Sequence, residues 1–125
     1  MEFPAARKNI LVLDKGSRVL SAVDQILFYG DYNLHIIYDP NAVYDKAKSM
    51  SPDLIILDYL LLDKDCEEVI KDLKDDEQLK DVPVIVVTAY RSKRAIADSY
   101  KCDALFVKPM DMDVLASRIE YLMAS

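Results

Sequence analysis

Residues Pro52 to Asp58 read PDLIILD, four aliphatic side chains in a row between a proline–aspartate pair and a second aspartate. A run without polar alternation suits a strand covered on both faces, as in a parallel sheet. Four further runs are of the same length: ILVL (10–13), LHII (34–37), VIVV (84–87) and ALFV (104–107). Helical spacing fills the intervals. Cys66, Val69, Ile70 and Leu73 follow i, i+3, i+4, i+7, and Leu115, Ile119, Leu122 and Met123 do so with one step varied. Val19, Val23, Ile26 and Leu27 predict a first helix with Ser17 as its N-cap, Val43, Ala47 and Met50 a second, and 92–100 a fourth. Five strand–helix units joined by right-handed crossovers predict an α/β fold, (βα)5, a doubly wound parallel five-stranded sheet with helices on both faces.

The 125 residues are 52% hydrophobic, enough for one core and too few for two ordinary domains, so a single domain over 1–125 with its core at about 8–123 is expected. No repeat, low-complexity tract or Gly/Ser-rich linker divides it. The opening MEFPAARKN has no apolar h-region, and no run approaches the ~18 apolar residues that span a bilayer. A soluble, cytoplasmic protein without membrane association is expected. The net charge of −6 argues against a nucleic-acid partner. Cys66 and Cys102 lack metal-site spacing and are expected as buried or half-buried thiols. A lone His35 cannot build a metal site and is expected as a solvent-facing strand residue or a helix edge. Between Asp63 and Asp81 stand nine acidic residues and four lysines, expected as a solvated helix face plus loop rather than a partner-steering patch.

In doubly wound sheets, ligands collect at the carboxyl ends of the strands. The apolar runs end in Asp14, Asp58, Thr88, and Lys108 followed by Pro109. Two carboxylates, a hydroxyl and an ammonium are thus expected to converge on one edge.

With these residues in place, the chain resembles the receiver domain of bacterial response regulators, including the single-domain chemotaxis regulator. The quoted pieces are ILVLD, PDLIILD, VPVIVVTA, LFVKP and MDMDVLASRI, spread over nearly the whole chain. The resemblance implies a flavodoxin-like receiver fold with strand order 2-1-3-4-5 and a place in a two-component phosphorelay. Asp58 matches the phosphoacceptor, a carboxylate nucleophile that becomes an acyl phosphate. Thr88 matches the switch hydroxyl that binds phosphoryl oxygens, and Lys108 the lysine that neutralises their charge before a cis Lys108–Pro109 bond. Asp14, Asp58 and the Leu60 carbonyl match ligands of Mg2+. Leu60 and Tyr90 occupy the positions that tune dephosphorylation; both are bulky and are expected to shield an acyl phosphate from water. Implied partners are a histidine kinase or histidine phosphotransfer protein, and a downstream protein on the face of the fourth helix, fifth strand and fifth helix. Such a domain is not an enzyme in the ordinary sense.

The chain departs from the pattern at Lys15, where the family has the second acid of its metal-binding pair. An ammonium cannot ligate Mg2+, so weak or absent metal binding is expected. The Lys15 ammonium lies between Asp14 and Asp58 in place of the cation, or it points to solvent and leaves a weak site; a register slip that puts Asp14 in the direct-ligand position is a third arrangement. Leu62, Asp63 and Cys66 replace the proline and glycines that usually follow the phosphoacceptor. Leu105 stands at the switch-aromatic position, with Phe106 on the opposite strand face as ordinary core. Only two glycines, Gly16 and Gly30, are present. A phosphorylated receiver is the leading expectation. The alternative is a phosphorylation-independent interaction module with Lys15 replacing the metal; an unrelated flavodoxin-like binder lacks any phosphate-cradling Gly-rich loop here.

Overall fold

The computed structural model describes residues 8–15, 32–59, 64–88, 102–107 and 112–124. Five parallel strands, β1 (Lys8–Lys15), β2 (Tyr32–Ile37), β3 (Leu54–Tyr59), β4 (Val84–Thr88) and β5 (Ala104–Val107), form one sheet in the order β2-β1-β3-β4-β5. Helices α1 (Val43–Met50), α2 (Lys64–Asp75) and α3 (Met112–Ala124) match the second, third and fifth predicted helices. The first predicted helix, with Ser17, and the fourth at 92–100 lie outside the described residues.

The central strand β3 is buried at all six positions, as its unbroken apolar run requires. Alternation divides the core in two. Leu11, Leu13, Ile55, Leu57, Val84 and Val86 face Val43 and Ala47 of α1 and Cys66, Ile70 and Leu73 of α2. Ile10, Val12, Leu54, Ile56, Ile85 and Val87 face Leu115, Ile119 and Met123 of α3. Each aliphatic side chain so buried contributes about 1.5–3 kcal/mol relative to exposure. Leu105 packs on the first layer and Phe106 on the second, the opposite-face placement expected of them.

Two strands run past their apolar cores. β1 ends at Lys15 rather than Asp14, and β3 at Tyr59 rather than Asp58. The ladder continues because the backbone of each strand still has a partner there, whatever the side chain.

Aspartates set the register from the opposite, amino-terminal edge. The Asp53 amide donates to the Asn9 carbonyl at 2.8 Å, and the Asn9 amide returns a 2.8 Å bond to Asp53 Oδ2. Asp103 clamps β5 to β4 in the same manner: its amide donates to the Val84 carbonyl at 2.9 Å and its Oδ2 accepts from the Val84 amide at 2.7 Å. Lys74, near the end of α2, reaches that same Oδ2 at 3.0 Å.

Helix α1 is entered through a 3-10 turn, Pro40–Ala42, where Asp39 Oδ1 accepts from the Asn41 amide at 2.9 Å. It leaves through Ser51 in the left-handed region (φ 49°), whose amide bonds the Ala47 carbonyl at 2.9 Å, and Pro52 bars further helix. Gln78 Nε2 holds that Ser51 hydroxyl at 3.1 Å. Asp76 ties the two helices on this layer: Tyr44 donates its hydroxyl to Oδ2, and Lys48 Nζ lies 3.2 Å away.

Candidate functional site

The register fixed at Asn9 and Asp53 carries β1 and β3 upward in step, so Asp14 pairs with Asp58 and Lys15 with Tyr59. Adjacent strands lie about 4.8 Å apart, which makes the α-carbons of the two aspartates immediate neighbours. Both continue the side-chain parity of Ile10, Val12, Leu54 and Ile56, the layer that faces α3. Asp58 is 0% exposed and Asp14 half-buried.

On the other side β3 pairs Asp58 with Val87 and Tyr59 with Thr88, one rung further on. Thr88 is 0% exposed and ends β4. Its parity is that of Val84 and Val86, so it reaches the edge from the opposite face. The carboxyl edge, rather than one face of the sheet, is what Asp58 and Thr88 share. β5 extends the row by pairing Val107 with Thr88. Lys108 and Pro109 follow directly in sequence but lie outside the described residues, as do Leu60, Leu62, Asp63, Tyr90, Gly16 and Gly30. Of Lys15, the backbone within β1 is described.

Two carboxylates on neighbouring strands repel one another. At ~5 Å and an effective dielectric of ~20 the repulsion is about 3 kcal/mol before screening. A carboxylate in the middle of a sheet is costly to bury, and a positive charge beside it offsets that cost. Asp14 and Asp58 are hard oxygen donors of the kind Mg2+ takes. Among the described residues no three His, Cys, Asp or Glu side chains gather to hold a metal. Two carboxylates on one rung would supply two oxygen ligands to a divalent cation, with carbonyl and water oxygens left to complete an octahedron.

Elsewhere the thiols behave as expected. Cys66 is buried, and Cys102 is half-buried with burial pushing its thiol up. His35 belongs to strand β2, opposite Leu11, and is half-buried. Sequence patterning missed Tyr59, which is 2% exposed and prolongs the buried strand past Asp58. The signal was there in its odd-number parity with Ile55 and Leu57. It also missed Asp53 and Asp103 as register clamps; each directly precedes an apolar run, which is the one cue available. No helix among the described residues is long and apolar enough to cross a membrane.

Comparison with known proteins agrees with this layout. The family model for the response regulator receiver domain matches residues 10–120. Response regulator ArlR of Staphylococcus aureus is 28% identical over 117 residues, covering 92% of this chain and 52% of its own length. The chain thus spans about half the length of the curated relatives it matches. The signal receiver domain of a signal transduction histidine kinase from Syntrophus aciditrophicus superposes with a TM-score of 0.78 at 25% identity, covering 94% of this chain and 90% of that one. The receiver domain of sensor histidine kinase PA1611 from Pseudomonas aeruginosa, which holds a magnesium ion in its active-site cleft, gives a TM-score of 0.78 at 19% identity, with coverages of 96% and 100%. Receivers are signalling proteins and not, in general, enzymes. On the match over 10–120, this chain belongs to the response regulator receiver domain family of two-component systems.

Proposed function

We propose that Asp58 accepts a phosphoryl group from a histidine kinase or a histidine phosphotransfer protein, and that a protein partner reads the result. The observation that carries this reading is a fully buried carboxylate, Asp58, in the central strand, level with Asp14 and one rung from the buried Thr88. A hydrophobic core has no use for an acid at that position, whereas a nucleophile held rigid and shielded does.

One Asp58 carboxylate oxygen attacks the donor phosphorus. An O–P bond forms as the N–P bond of phosphohistidine breaks, and the departing imidazole nitrogen keeps the electron pair and takes a proton from solvent. Thr88 Oγ1 hydrogen-bonds a phosphoryl oxygen, and the Lys108 ammonium balances the added negative charge. Asp14 and Asp58, with the Leu60 carbonyl, are the residues that would hold Mg2+. That ion, when bound, neutralises charge on the phosphoryl oxygens. Lys15 lowers the affinity for it. Leu60 and Tyr90 shade the acyl phosphate and lengthen its life. The reading surface is β5 and α3 together with residues 92–100.

Acetyl phosphate and beryllofluoride, each with and without Mg2+, test this by phospho-affinity gel and intact mass. A Mg2+-dependent adduct that disappears in Asp58→Asn is expected. No adduct in wild type under any condition, with reactivity appearing in Lys15→Asp, would instead make this chain a phosphorylation-independent interaction module.

A further inference from the structure

The acidic stretch from 63 to 81 supplies none of the groups assigned to the proposed phosphoryl transfer. Its central portion lines a groove between α1 and α2. A hollow of about 110 Å³ is bounded by Pro40, Asn41, Tyr44, Glu68, Val69 and Asp72. A wider one of about 500 Å³ shares Asn41, Tyr44 and Asp72 and adds Asp45, Asp75 and Asp76. Pro40, Tyr44 and the half-buried Val69 supply apolar surface, and carboxylates form the rim. Asp14, Asp58 and Thr88 are not among the residues that line the groove.

Among the described residues the rim carries more carboxylates than paired cations. Asp76 has Lys48 at 3.2 Å as well as the Tyr44 hydroxyl, and Asp75 has the exposed Lys71 at 3.7 Å. Among the described residues no lysine or arginine lies within ion-pair distance of Asp45, Glu68 or Asp72. The Tyr44 hydroxyl registers the resulting field: its hydrogen bond to Asp76, its burial, and then the charges of Asp76, Asp45 and Asp72 all push its pKa up. Glu68, Asp72 and Asp75 stand at i, i+4 and i+7 on α2, a stripe about 10 Å long at ~1.5 Å per residue.

We infer that this groove docks a cationic amphipathic helix of a partner protein. Apolar side chains of that helix rest on Pro40, Tyr44 and Val69, and its lysines or arginines, repeating at i, i+4 and i+7, meet Glu68, Asp72 and Asp75. Charge selects this occupant. A second copy of the chain, at net −6, carries the wrong sign. A single metal ion fits poorly, because the carboxylates are strung along two helical turns and no three of the described residues converge on one point.

The test is an NMR titration of the 15N-labelled chain with a synthetic 16-residue Ala/Leu helix bearing arginines at i, i+4, i+7 and i+11. A scrambled isomer of identical composition and MgCl2 alone are run beside it. Saturable shifts confined to residues 40–48 and 67–78 are expected, with the scrambled peptide several-fold weaker. The double variant Glu68→Gln/Asp72→Asn, at two exposed positions, should weaken binding about tenfold, and raising salt from ~50 to ~300 mM should do the same. Shifts spread over the whole surface, equal binding of the scrambled peptide, or an unaffected double variant overturns the assignment. So does MgCl2 moving the same resonances and blocking the peptide, which would make the groove a cation site.

Discussion

Replacing Asp53 by alanine removes the carboxylate that holds β1 level with β3. In the structure its Oδ2 accepts the Asn9 amide at 2.8 Å in a partly buried setting, while its own amide bonds the Asn9 carbonyl at the same distance. The second bond survives the substitution because it is main-chain. The first is lost, leaving a partly buried amide donor unsatisfied at a cost of about 1–3 kcal/mol; partial solvent access places the value near ~2. Unfolding a chain of 125 residues at ~2.1 cal/mol/K per residue has an entropy of roughly 0.26 kcal/mol/K, so Tm should fall by about 8 °C. Asp53→Asn keeps a carbonyl acceptor at the same place and should lose only about 0.5–1 kcal/mol. Urea denaturation followed by far-UV circular dichroism gives both values, with m unchanged for each variant. Equal losses in the two variants would show that charge, not the bond to Asn9, is what Asp53 contributes. A loss below ~0.5 kcal/mol in Asp53→Ala would show that the clamp contributes nothing and that core packing alone aligns the strands.

Asp76 makes acid stability a further readout. The hydrogen bond donated by Tyr44, followed by those from the Gln78 amide and Lys48, holds its carboxyl at about 2, below its usual 3.8. A depressed folded pKa contributes stability that is complete above the unfolded value and disappears as pH falls from about 4 through about 2. Tyr44→Phe should shift that loss to higher pH in urea titrations between pH 5 and 2; superimposable profiles would refute it. Ile56→Ala, at a fully buried position of the central strand, should destabilise by about 2–5 kcal/mol with m unchanged. Lys15→Asp changes the charge beside Asp14 by two units and should tighten Mg2+ binding by at least about tenfold. The metal-dependent rise in Tm measures it, and an identical Mg2+ dependence in wild type and variant would count against any role for Lys15.

Much of the architecture was legible because the fold is parallel. Strands covered on both faces must be apolar without interruption, so five short runs announced five strands. The helices between them follow from i, i+3, i+4 spacing at Cys66–Leu73 and Leu115–Met123, and both stretches do turn those faces to the core. Less legible were the strand ends. Polarity predicts a stop at Asp14 and Asp58, but backbone pairing carries β1 to Lys15 and β3 to Tyr59. Only the position directly before an apolar run distinguished Asp53 and Asp103, which clamp neighbouring strands, from Asp81, which is exposed. The acidic stretch read as a uniform solvated face; folding sorts it into Asp76, engaged by Tyr44 and Lys48, and a groove rim where Glu68 and Asp72 have no ion-pair partner among the described residues.

The sequence by itself determined where the apolar runs stop, and so which polar groups stand near the carboxyl edge, because side-chain patterning is local and survives without a partner strand. Only the tertiary structure decided that Asp14 and Asp58 share a rung, that Thr88 stands one rung beyond on the opposite parity, and that both Asp58 and Thr88 are sealed from water. Register is a relation between strands far apart in the chain. It is set by cross-strand bonds such as Asn9 to Asp53, and a slip of one residue would turn Asp14 to the other face of the sheet.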